Sequence, residues 1–151
     1  MALQINDTCP SFKLPNQFGE IIDSAQLIGT KILVVYFYPK DDTPGCTKEA
    51  CSFRDAYEEF KDLGCEVVGI SSDSIADHKK FAEKHHLSFT LLADTAKEVR
   101  KAFGVPGNLF GLIPGRVTYI IDLSGKVRGI YNSQTNPLGH IEQALELVKK
   151  L

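Results

Sequence analysis

Residues Ile32-Leu33-Val34-Val35-Tyr36-Phe37-Tyr38 are near-continuously apolar and rich in β-branched and aromatic side chains. A strand without polar alternation has to be buried on both faces, so this run belongs at the centre of a sheet with helices on each side. At seven residues it is far too short to cross a bilayer. The chain then turns into a helix. Thr43 suits an N-cap and Pro44 the first helical position, which puts Cys46 at about the third helical residue, at the exposed end of a central strand.

The remaining elements are read from pattern and punctuation. The helix opened by Pro44 runs to about Leu63, and a second buried strand covers Glu66 to Ser71. Ser74 to His85 reads as a helix, Phe89 to Leu92 as a short strand, and Ala96 to Phe103 as a helix closed by Gly104. Two alternating runs, Arg116 to Asp122 and Lys126 to Asn132, flank Leu123-Ser124-Gly125 as a hairpin, and Asn136-Pro137 caps a last helix reaching Lys149-Lys150. Near the N-terminus, Phe12-Lys13-Leu14 and Glu20-Ile21-Ile22 form a small hairpin expected to cover a sheet edge. Gly107 to Gly115 is a Gly/Pro loop presenting Leu109, Phe110, Leu112 and Ile113, which suit an alkyl pocket, a subunit contact or packing beside the site. The order implies an α/β chain with a mixed sheet, helices on both faces and an N-terminal β-hairpin, the arrangement of a thioredoxin-like fold. Sites in such sheets lie beyond the carboxyl ends of strands, where Pro39 to Cys46 falls.

Of the four cysteines, Cys9 precedes Pro10 and Cys65 opens an apolar strand, so both read as small core residues. Cys46 reads differently. Unpaired backbone N–H groups and the positive end of the helix dipole favour thiolate over thiol at that position. Cys51 lies five residues further on. On an intact helix that spacing gives an axial offset of about 7.5 Å and a rotation of roughly 140°, separating the two Cα atoms by about 8 to 9 Å. A disulfide tolerates at most about 7 Å, so a Cys46–Cys51 bond demands that the first turns of the helix unwind. The same spacing disfavours a dithiol oxidoreductase with two intervening residues, and a zinc site is disfavoured too, since neither thiol has a second close Cys or His and the two share no face.

The chain has 151 residues, 43% of them hydrophobic, and no low-complexity tract, which predicts one globular domain over 1–151. Its formal net charge of −2, with both signs interspersed, argues against a nucleic-acid or membrane-surface partner. The N-terminus has no signal-peptide pattern, and a reducing, cytoplasmic setting is the default expectation; a plastid or other compartment after removal of a targeting segment is the alternative. His78, His85, His86 and His140 fall on polar helix segments and read as solvated. Arg116, by spacing alone, reads as a surface arginine, Glu49 as a first-turn acid and Tyr38 as a core aromatic.

Pro39-x-x-x-Thr43-x-x-Cys46 resembles the active-site signature of the peroxiredoxins, and Cys51 is placed as in the bacterioferritin comigratory protein, or peroxiredoxin Q, branch. The resemblance extends through Phe37-Tyr38-Pro39, Gly45 to Arg54, Val68-Gly69-Ile70-Ser71 and Pro114-Gly115-Arg116, nearly the whole chain. It implies a thiol peroxidase acting on hydrogen peroxide and organic hydroperoxides, without cofactor or metal. Cys46 would be the peroxidatic cysteine and Cys51 the resolving one. Thr43 would hydrogen-bond the peroxide, Arg116 lie beside the thiolate, Glu49 orient Arg116 and Pro39 shield the pocket. The resemblance further implies a monomer recycled by thioredoxin or a similar dithiol. The competing readings are a protein disulfide oxidoreductase and a redox-sensing or chaperone-like binding module.

Overall fold

Strand β3, Ile32–Phe37, is the middle of a five-stranded sheet. The computed structural model describes residues 2–107 and 115–151; the apolar residues Leu109, Phe110, Leu112 and Ile113 lie outside them. β4 (Cys65–Ser71) runs parallel to β3, and β5 (Thr90–Ala93) parallel to β4. On the other side β6 (Val117–Ile121) and β7 (Val127–Asn132) add antiparallel, giving the order β5-β4-β3-β6-β7.

Successive residues of β3 serve opposite faces. Val34 and Tyr36, with Tyr38 just beyond, meet α2 (Pro44–Asp62), α3 (Ile75–His85) and α5 (Pro137–Val148) through Phe53, Phe60, Phe81 and Ile141. Leu33, Val35 and Phe37 meet Phe12, Val127 and the helix α4 (Glu98–Phe103) through Val99 and Phe103. Burial of the strand on both faces is therefore supplied by two separate cores, as its apolar run requires. The hairpin of β1 (Lys13–Pro15) and β2 (Ile21–Asp23) guards the β5 edge. Its Gln17 side chain exchanges hydrogen bonds with the backbone there, donating to the Phe89 carbonyl at 3.1 Å and accepting from Leu91 N at 3.0 Å. An exposed strand edge is thus capped by an amide rather than left open.

Most elements match the sequence reading within a residue or two. A short helix, α1 (Ser24–Leu27), capped by Asp23, is an addition to that reading, because four residues are too few for a periodic signal. α4 starts two residues later than its pattern suggests, because Asp94 accepts from Val99 N and Arg100 N and sets the first turn there.

Tyr36 pairs with Gly69 on β4, and its ring stacks on Phe53 at a centroid distance of 4.5 Å. The ring and hydroxyl lie so close over Gly69 that an added Cβ would stand 2.8 to 2.9 Å from them. Only a residue without a side chain fits. Gly69→Ala is expected to destabilise the fold by about 1–3 kcal/mol through overpacking, read as a lowered urea midpoint with unchanged slope.

Candidate active site

The residues from Pro39 to Cys46 leave β3 and turn into α2 at the carboxyl edge of the parallel strands. Asp42 takes a positive φ of 61°, and Thr43 returns to extended backbone, so that Pro44 opens the helix. Cys46 is its third residue. Thr43 occupies the N-cap position but makes no side-chain cap hydrogen bond; its hydroxyl donates to the Lys40 carbonyl at 2.9 Å. The expected side-chain cap is therefore absent; the hydroxyl is turned back toward the preceding turn instead of accepting from the helix N–H groups.

Three buried side chains meet over that first turn. Arg116 arrives from the start of β6 and its guanidinium bridges Glu49, from the next turn of α2, and Cys46; the exposures of Arg116, Glu49 and Cys46 are 4%, 0% and 1%. The Arg116 guanidinium donates from Nη1 to Glu49 Oε1 at 2.7 Å and from Nη2 to Cys46 Sγ at 3.4 Å, and its Nε donates to the Gln134 carbonyl at 3.4 Å. Gly45 makes room for this fork: a Cβ there would stand 3.0 Å from Arg116 Nη2. Arg116 is thus no surface arginine. Burial works against its charge, but Glu49 and Cys46 together raise its pKa further. Burial pushes Glu49 up to about 8 against the opposing pull of Arg116.

Cys51 is half-buried on the same unbroken helix, and all four cysteines are free. Cys9 and Cys65 sit in the two cores, in agreement with their sequence context, and burial raises each thiol to about 11. Pro39 is half-buried between the strand end and the turn.

Two of the four histidines contradict the reading as solvated, since His78 and His140 are fully buried. His140 Nε2 lies 2.8 Å from the Ser133 carbonyl and so carries the hydrogen; Nδ1 accepts from the Thr118 hydroxyl at 2.7 Å. Burial lowers its pKa to about 4, which keeps the ring neutral. His78 spans Leu92 O at 2.9 Å and Asp41 Oδ2 at 2.6 Å, while Tyr38 donates to Asp41 Oδ1 at 2.6 Å. Asp41 N in turn donates to Asp73 Oδ2 at 2.8 Å. Asp41, Asp73 and His78 are close enough together for a metal ion, but each is already engaged in this hydrogen-bonded set. The set ties the turn before Cys46 to α3.

Arg100 is a site residue that the sequence did not single out. Its guanidinium donates to Tyr38 O at 2.9 Å and Gly115 O at 3.1 Å, joining the exit of β3 to the residue before Arg116. A lone arginine on a short helix carries no signal of such a role.

Fold and site together define a thioredoxin-fold protein with a buried, arginine-facing thiol at a helix N-terminus. The sequence matches the AhpC/TSA family over residues 5–130. Peroxiredoxin Q, chloroplastic, from Populus jackii is 53% identical over 142 residues, covering 94% of this chain and 66% of that protein. The chain thus spans about two thirds of the length of that relative. Among solved structures, peroxidoxin BcpB from Mycobacterium tuberculosis superposes with a TM-score of 0.91 at 37% identity, covering 99% of this chain and 98% of that one. The bacterioferritin comigratory protein of Xanthomonas campestris, described for alkyl peroxide reduction, gives 0.84 at 30% identity, covering 92% and 90%. The chain belongs to the AhpC/TSA family and, within it, to the peroxiredoxin Q or bacterioferritin comigratory protein branch.

Replacing the guanidinium by an apolar chain of similar length removes the charged donor on the sulfur. Arg116→Met is expected to slow oxidation of Cys46 by hydrogen peroxide about 100-fold, read in stopped-flow single turnovers.

Proposed function

We propose that this chain is a thiol peroxidase that reduces hydrogen peroxide and organic hydroperoxides, folded as one domain over 1–151. The observation that carries the reading is the Arg116 Nη2 contact to Cys46 Sγ at 3.4 Å within a buried helix N-terminus. The alkyl peroxide reduction described for the X. campestris relative supports extending the substrate to organic hydroperoxides.

The Cys46 thiolate attacks the terminal peroxide oxygen, a sulfur–oxygen bond forms as the O–O bond breaks, and an alcohol or water leaves once protonated. Negative charge spreads along the sulfur–oxygen–oxygen line in the transition state. Arg116 and the first-turn N–H groups are fixed donors there before reaction, so they stabilise that charge more than the neutral peroxide. Thr43 supplies a further donor when its hydroxyl turns from Lys40 O to the peroxide. Pro39 shields the pocket and Glu49 orients the guanidinium. Placement of these donors supplies the larger share of the acceleration.

Cys51 then attacks the Cys46 sulfenic acid, forming a disulfide and releasing water before further oxidation. α2 is continuous over both positions, so its first turns unwind in this step. Thioredoxin or a similar dithiol reduces the bond, and the protein acts as a monomer. The chloroplastic names of the plant relatives favour a plastid setting over a cytoplasmic one.

Cys46→Ser is expected to abolish peroxide consumption. Cys51→Ser is expected to keep the first oxidation and lose turnover with thioredoxin, while the wild type gives a Cys46–Cys51 link by mass spectrometry. Peroxide consumption by Cys46→Ser would overturn the assignment of the nucleophile. Rapid insulin reduction without peroxide consumption would favour the disulfide oxidoreductase reading, and oxidation without turnover the sensing module.

A further inference from the structure

Behind the guanidinium lies a charge count that does not close. Among the described residues Arg116 is the cation in direct contact with both groups, while Arg100 also attracts Cys46 but is shared with Asp94; Cys46 as thiolate with Glu49 as carboxylate would be two anions on that one guanidinium, all three at most 4% exposed. Buried charges persist where they are paired. Among the described residues, the groups facing Glu49 from the other elements do not supply the missing positive charge. His140, from α5, is held neutral by burial. Tyr36, from β3, is a phenol whose pKa burial raises well above the ordinary value, so it too is neutral.

The hydrogen bonding repeats the discrepancy. Glu49 Oε1 accepts from Arg116, but Oε2, fully buried, has no hydrogen-bond partner among the described residues. The polar atom facing it is His140 Nδ1 at 3.6 Å, the nitrogen without a hydrogen. A carboxylate oxygen opposite an imidazole lone pair is a repulsive contact between two acceptors. The Nδ1 lone pair is already taken by the Thr118 hydroxyl, so a proton on Oε2 removes negative charge from an oxygen that no donor reaches and balances the site at the same time.

We infer that Glu49 is a neutral carboxylic acid in the reduced protein, its proton on Oε2 facing His140 Nδ1, and that it gives up this proton when Cys46 is oxidised. The inference rests on the peroxidase reading. Before reaction, the Arg116 charge then serves the thiolate alone. Oxidation turns the thiolate into a neutral sulfenic acid, leaving Arg116 without an anion, so the carboxyl ionises and becomes the new partner. The balance is Cys46–S⁻ + Glu49–COOH + ROOH → Cys46–SOH + Glu49–COO⁻ + ROH. The sulfur is oxidised by two electrons, the peroxide is reduced by two, and the proton required by the departing alkoxide is matched by the one Glu49 releases. The high position of the Glu49 carboxyl, about 8, agrees with this.

The test is proton uptake in the first oxidation, read with an indicator dye in weakly buffered stopped flow, beside the ultraviolet absorbance of the thiolate. At about pH 7 the wild type should lose its thiolate signal with almost no uptake from solvent, whereas Glu49→Gln should take up one proton per thiolate lost. A carboxyl with folded pKa near 8 is protonated below that pH, so wild-type uptake should climb towards one proton by about pH 9. The infrared difference spectrum of the same step should lose a protonated-carboxyl band in the wild type and show no such loss in Glu49→Gln. Uptake of one proton at pH 7 by both proteins, none by both, or no carboxyl band in the wild type would overturn the inference. A wild type that fails to oxidise Cys46 at all would instead overturn the peroxidase reading.

Discussion

The contact between Arg116 and the first turn of α2 is what the rest of the site is built around. It joins two elements adjacent to β3, the helix that succeeds that strand and the antiparallel β6 beside it. Burial makes the contact strong, because a guanidinium and a thiolate shielded from water interact far more than the same pair in solvent. Burial also makes it demanding, since each further polar group drawn in has to be matched. Glu49, Thr118, His140 and the carbonyls of Ser133 and Gln134 form that matching shell, reaching as far as α5.

A second polar system holds the other side of the turn. Tyr38, Asp41, His78 and Asp73 link the exit of β3 to α3, while Lys84 pairs with Asp42 at 3.0 Å on the surface. Arg100 adds a strap from α4 to the same strand end. The reactive turn is therefore fixed from two helices, α3 and α4, before any substrate arrives, which is the preorganisation that electrostatic catalysis requires.

Much of this was legible in the sequence. The apolar run of β3, the helix start at Pro44 and the placement of Cys46 as third helical residue come from short-range pattern and turn chemistry, and the structure agrees with them. The polar interior was not legible. His78 sits beside Asp77 and Lys79 in sequence and His140 in the first turn of a helix, yet both are buried, because their partners lie 37 and 22 positions away at Asp41 and Thr118. Arg116 shows the same limit: nothing within a helical turn or a strand pair marks it as buried, and the carboxyl oxygen that accepts from it belongs to a residue 67 positions distant. Periodicity reports which residues seek an apolar environment. It is silent on polar groups whose burial depends on a partner supplied by topology.

The continuity of α2 through Cys46 and Cys51 has a mechanical reading. In the proposed cycle the helix divides into a first stretch that lets go for Cys51 to reach Cys46 and a later one, anchored by Phe53, Phe60 and the Arg54 contact to His85 O at 2.7 Å, that stays. Upstream, Asp41 stays moored to α3. The segment free to rearrange is thus clamped at both ends like a short spring. Its travel is limited by the chain itself, and in the proposed cycle each reduction of a Cys46–Cys51 disulfide would let it recoil into the same register, resetting the thiol under Arg116 without a search.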